Sequence, residues 1–118
     1  MVKIITKKKR ENYLERVPIR NDKYRWNIQK NNIVTIEKEN KGIFNKIFQR
    51  FFKKPKISYI HLDENGSFVW MQIDGKKSLL EIGRLLEKRF GDSAKPIYER
   101  LVGFFATLND AGFIKFKK

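Results

Sequence analysis

ISYIHLDENGSFVWMQIDGKKSLLEIGRLLEKRFGDSAKPIYERLVGFFATLNDAGFI, residues 57–114, reads as one strand followed by three short helices. Ile57-Ser58-Tyr59-Ile60-His61-Leu62 is rich in β-branched and aromatic residues and apolar toward both faces, which suits a strand. Asp63 or Asn65 is placed to cap a helix over residues 65–73, and Gly75 supplies its left-handed stop. Ser78-Leu79-Leu80-Glu81 is a capping box, in which the Ser side chain and the Glu side chain satisfy each other's backbone amides. The helix it opens runs to about Arg89, with Leu79, Ile82, Leu86 and Phe90 as its apolar stripe and Gly91 at its end. Asp92 or Ser93 is expected to cap the last helix, with Pro96 in its first turn. Ile97, Leu101, Phe105 and Leu108 recur at steps of three or four along it, and Gly112 ends it. Phe113-Ile114-Lys115-Phe116 fits a short terminal strand.

Outward from this half, Tyr24, Trp26 and Ile28 alternate with Arg25, Asn27 and Gln29, the period of a half-buried strand. Asn31-Asn32 marks a turn, because Asn tolerates left-handed backbone, and Ile33-Val34-Thr35-Ile36 is the returning strand. Residues 42–54, GIFNKIFQRFFKK, place Ile43, Phe44, Ile47, Phe48, Phe51 and Phe52 on one face of a helix, opposite Lys46, Gln49, Arg50, Lys53 and Lys54, and Pro55 ends it. Residues 1–16 are charged without a sustained period and read as a basic flexible arm. The expected fold is therefore α+β and winged helix-turn-helix-like: a small three-stranded antiparallel sheet followed by three helices. Residues 17–118 form a single domain, with the basic amphipathic helix at about 42–54 as an insert.

A chain of 118 residues with 41% hydrophobic residues has enough apolar material for one core. It has no Cys, which removes disulfides and thiolate chemistry. No apolar run has the length of a membrane span or a signal peptide, so the expected location is cytoplasmic. The formal net charge is +14, and it is uneven: residues 1–56 carry 17 Lys/Arg against 5 Asp/Glu, residues 57–118 carry 10 against 8. Such a charge suits an acidic partner.

Catalytic machinery is not visible. His61 is the single histidine and reads as a strand residue. Asp63, Glu64 and Asp74 read as helix-cap or turn carboxylates, and no second acid or base is spaced to pair with them. No phosphate loop, dinucleotide fingerprint or nucleophile motif occurs, so the expectation is a binding protein without cofactor or metal. Three partners fit that class. Duplex DNA would need a basic reading helix, yet the last helix balances Lys95 and Arg100 against Glu99 and Asp110, which argues against it and leaves RNA or DNA contact through the basic N-terminal arm as the nucleic-acid alternative. An anionic membrane surface would suit the 42–54 helix as a peripheral contact, although a Phe stripe on a short helix equally serves a core. An extended peptide would add beside Ile57–Leu62 by main-chain hydrogen bonds.

The ordered set Leu62-Asp63, Gly66, Trp70, Asp74-Gly75, Ser78, Glu81-Ile82, Phe90-Gly91, Leu108, Gly112 and Ile114 resembles the PqqD-like family, named after pyrroloquinoline quinone biosynthesis protein D. Residues 17–42 resemble the start of stand-alone members more loosely. The individual residues have ordinary fold roles: Trp70 anchors a helix, Gly75 and Gly112 end helices, Ser78 caps one. The resemblance implies a small winged-helix-like domain that binds the leader of a ribosomally made precursor peptide. Such a domain presents the leader to a modifying enzyme, often of the radical S-adenosylmethionine type. It also implies that the leader, often acidic, lies as a strand beside Ile57, Ser58, Tyr59, Ile60, His61 and Leu62, in a cleft against Arg100, Leu101, Phe104, Phe105 and Leu108. Asp63 stands where Asn is more frequent in the family, and the arm and the insert helix are additions to its minimal unit.

Overall fold

Trp26, Asn27 and Ile28 pair antiparallel with Ile36, Thr35 and Val34 across a turn in which Asn31 (φ 66°) and Asn32 (φ 61°) both take left-handed backbone. That is the hairpin expected from the alternation and the Asn pair. The computed structural model describes residues 12–39 and 57–118. The 42–54 helix and residues 1–11 of the arm lie outside the described residues.

In chain order the elements are β1 (Pro18–Arg20), β2 (Trp26–Ile28), β3 (Val34–Glu39), β4 (Ile57–His61), α1 (Glu64–Gln72), α2 (Leu79–Phe90), α3 (Ile97–Asp110) and β5 (Ile114–Phe116). The fold is α+β. β2, β3 and β4 form one antiparallel sheet in that order, and β1 and β5 form a separate two-stranded ribbon. The ribbon was not expected as such. β1 has only three residues, opens on a Pro, and pairs Ile19 with Lys115 far along the chain, so nothing local announces it.

Local chemistry sets most helix ends. The Asp63 carboxylate accepts the Gly66 amide at 2.7 Å and opens α1. Ser78 and Glu81 form both halves of the capping box of α2. Gly75 (φ 77°) and Gly112 (φ 81°) take the left-handed region that their turns require. The start of α3 departs from expectation: neither Asp92 nor Ser93 caps it. Residues Gly91–Ala94 form a 3₁₀ turn in which the Ser93 hydroxyl donates back to the Phe90 carbonyl at 2.8 Å. Lys95 is extended (ψ 147°) and α3 begins only after Pro96. The cause is Pro96, whose ring disfavours helical backbone at the residue before it.

The core lies between the inner face of the three-stranded sheet and the three helices. Val34, Ile36, Trp70, Ile73, Leu79, Ile82, Leu101 and Phe105 are all at most 2% exposed. Each side chain of this size contributes roughly 1.5–3 kcal/mol on burial. Tyr13 and Leu14 pack against the same cluster, with Tyr13 edge-on to Phe116 at 5.3 Å, so the described end of the arm is held. Arg20 ties the ribbon to the sheet: its guanidinium lies 4.8 Å over the Trp26 ring and donates to the Trp70 carbonyl at 3.2 Å. Burial draws the Arg20 pKa down, while Asp22 and Asp74 act the other way. Among the described residues no helix is long and apolar enough to cross a membrane.

Candidate functional site: a sheet edge and the groove beside it

β4 is the last strand of the described sheet: Ile57, Ser58, Tyr59, Ile60 and His61 face Glu39, Lys38, Glu37, Ile36 and Thr35. The Leu62 amide donates to the Val34 carbonyl at 2.9 Å. That bond fixes the alternation of the ladder. Residues 62, 60 and 58 turn their main-chain groups toward β3, so the amides and carbonyls of Tyr59 and His61 point the opposite way, to the outer edge. The Glu37 amide confirms the phase, since it donates across the sheet to Arg25 at 2.8 Å. Among the described residues no strand pairs with that outer edge.

Side chains along β4 divide between the two faces. Ile60 packs on the core opposite Ile36, and Tyr59 is 57% exposed. The His61 Nδ1 lies 2.8 Å from the Thr35 hydroxyl across the strand pair, the structural role expected for it. Beyond His61 the chain enters a small open groove between α1 and α3. Asp63, Asn65 and Gly66 form one bank, Arg100 and Phe104 the other, and Leu101 lies at its floor. The two banks are close because Gly66 has no side chain: a Cβ there would stand 2.9 Å from the Asp63 carboxylate and 3.3 Å from the Phe104 ring. Arg100 is exposed and held by a bond from its Nη1 to the Ala94 carbonyl at 3.3 Å.

The residues named from the sequence thus fall into two groups. Ile57 to Leu62, Arg100, Leu101 and Phe104 lie along the edge or the groove. Phe105 (0% exposed) and Leu108 (5%) belong to the core and do not line the groove. The reason is helical: Leu101, Phe105 and Leu108 form the stripe that packs inward, while Arg100 and Phe104 sit one position earlier and face outward. Asn65 and Gly66 were not anticipated as groove residues. A glycine inside the helix that follows the strand was the signal for a close approach there.

Among the described residues no group of three or more His, Asp or Glu side chains could hold a metal ion. The site offers main-chain hydrogen bonds, an apolar floor and one guanidinium. A family model described as coenzyme PQQ synthesis protein D (PqqD) matches residues 54–114, just over half of the chain and the whole of this site. The chain belongs to the PqqD family. That membership ties it, at the level of the family, to precursor-peptide biosynthesis, with a peptide and a biosynthetic enzyme as the kind of partner. No curated protein and no solved structure matches this PqqD-family chain.

Proposed function

We propose that this PqqD-family protein is a non-catalytic peptide-binding chaperone. It takes up the leader of a ribosomally made precursor peptide as an added strand along β4 and presents it to a modifying enzyme of the radical S-adenosylmethionine type. The observation that carries this reading is the phase of the β4 ladder, which turns the Tyr59 and His61 main-chain groups to the outer edge of a strand whose end leads into the groove at Asp63. A peptide in extended form pairs with every second residue of such an edge and places alternate side chains toward the groove. Phe104 offers the apolar contact, with Leu101 buried beneath it, and Arg100 pairs with a carboxylate of the leader.

Selection from a random-peptide library, followed by amide hydrogen exchange of the full chain with and without the selected peptide, tests this. The Tyr59 and His61 amides are expected to become protected on binding, together with the groove residues. Selected peptides that protect the ribbon or the hairpin turn and leave β4 unchanged would sink the reading.

A further inference from the structure

The β1–β5 ribbon presents a second surface of different chemistry. Its inner face carries Pro18, Ile114 and Phe116, and its outer face carries Ile19 beside Lys115. The Lys117 amide donates to the Val17 carbonyl at 2.8 Å, which extends the pairing and, by the alternation of the strand, sets Lys117 on the same outer face. The loop after α1 borders this face, since a Cβ on Gly75 would lie 4.0 Å from the Ile19 side chain. Lys76 and Lys77 follow directly. Two lysines on the face and two on the loop that borders it thus accompany the partly exposed aliphatic side chains of Val17 and Ile19. The acid of that loop, Asp74, is already held by Lys77 at 2.7 Å. Among the described residues Lys76, Lys115 and Lys117 have no acidic partner.

The geometry points to this face as the docking surface for an acidic protein: Lys76, Lys115 and Lys117 with Ile19 meet a carboxylate-rich patch on the enzyme that receives the peptide. Charge complementarity sets the sign of the partner. The remaining chemistry narrows its class. Stacking of single-stranded nucleic acid needs exposed rings, and the ribbon's rings, Tyr13 and Phe116, pack on each other with Arg16 over both. A membrane surface needs large apolar groups to insert, and the face has only two partly exposed aliphatics. The ribbon also stands apart from the groove. Arg100 flanks the groove near the start of α3, and β5 follows its far end, so about 15 Å of helix axis separates Arg100 from Asp110. A peptide on β4 and a protein on the ribbon can therefore be held together. That the acidic partner is the peptide's enzyme rests on the function proposed above; the cationic face itself does not.

The test uses the full chain and three probes: labelled poly-L-glutamate, poly(U) single-stranded RNA and phosphatidylglycerol vesicles. The triple variant Lys76→Glu, Lys115→Glu, Lys117→Glu is compared with Lys30→Glu, Lys38→Glu, Lys88→Glu, which makes the same charge change at exposed sites elsewhere. Circular dichroism checks that both fold. The ribbon variant is expected to bind poly-L-glutamate about tenfold or more weakly than wild type at moderate salt, and the scattered variant much less so. Equal loss in both variants means that net charge alone binds the probe and overturns the proposal. So does absence of wild-type binding to poly-L-glutamate, or a ribbon-specific loss confined to poly(U) or to vesicles. Peptide binding at β4, measured on the same ribbon variant, stays unchanged, so failure of the groove and failure of the ribbon are read separately.

Discussion

The Ser67 hydroxyl accepts the Val34 amide at 2.8 Å and donates to the Leu62 carbonyl at 3.3 Å. One fully buried side chain on α1 thus clips the first residue of β3 to the end of β4 and sets where the sheet edge meets the groove. Removing it leaves a buried amide without a partner, which costs about 1–3 kcal/mol. Ser67→Ala is expected to lower the unfolding free energy by that amount, seen as a lower urea midpoint with little change in slope. An unchanged midpoint would mean that the Val34 amide finds another acceptor.

The phase of the β4 ladder makes a sharper demand. Proline at position 59 removes an amide that points to the outer edge, whereas proline at position 60 removes one that bonds to β3. Tyr59→Pro should keep most of the wild-type stability and lose peptide binding. Ile60→Pro should lose stability, by roughly 1–3 kcal/mol for the broken ladder bond alone and more for the lost core contact. Thermal unfolding and peptide titration on the same two proteins decide the point. Equal stability of the two would show that the phase assigned to the edge is wrong. Leu101 is not a usable probe of the groove, because at 2% exposure a charge there unfolds the core. Phe104→Ala is the better choice, since the ring is only partly buried.

Features with a short sequence range were legible. The Ser78–Glu81 box, the Asn31-Asn32 turn and the glycine stops each rest on residues within four positions of one another, so the chain states them locally. The β1–β5 ribbon was not, because its partners lie at opposite ends of the described chain and neither strand has room for an alternating pattern. The start of α3 is masked in the sequence because two good caps, Asp92 and Ser93, stand before a proline that disfavours helical backbone at Lys95. In the groove, periodicity found the right helix but favoured its inward stripe. A stripe that fills the core cannot also be the wall offered to a partner, and the outward pair Arg100 and Phe104 has no period of its own to announce it.

Gly83 lets α2 and α3 approach closely. A Cβ there would lie 2.5 Å from the Tyr98 ring and 3.2 Å from the Leu101 side chain. Alanine gains about 1 kcal/mol of helix propensity over glycine, against about 1–3 kcal/mol for forcing α2 and α3 apart. Gly83→Ala is expected to be net destabilising, and adding Tyr98→Ala should relieve part of the loss. A double-mutant cycle by urea unfolding measures this. Strict additivity would show that the ring is not what excludes the methyl group.

Asp74 contributes to the acid limb of stability. Its carboxylate accepts from the Lys77 ammonium at 2.7 Å and from the Lys76 and Lys77 amides at 2.8 and 2.9 Å. The Lys77 side chain first, then these amides, hold its pKa well below the usual carboxylate range. The unfolded chain therefore binds a proton that the native loop does not, so stability rises with pH across that interval. The contribution is complete above about pH 4, the ordinary Asp value, and fades as pH falls through the lower native value. Asp74→Asn keeps an oxygen for the two amides but loses the charge. The stability gap between wild type and this variant, followed by urea midpoints from neutral to strongly acid pH, is expected to be widest above about pH 4 and to shrink below it. A gap that stays constant across the whole range would assign the stabilisation to the turn's shape and not to its charge.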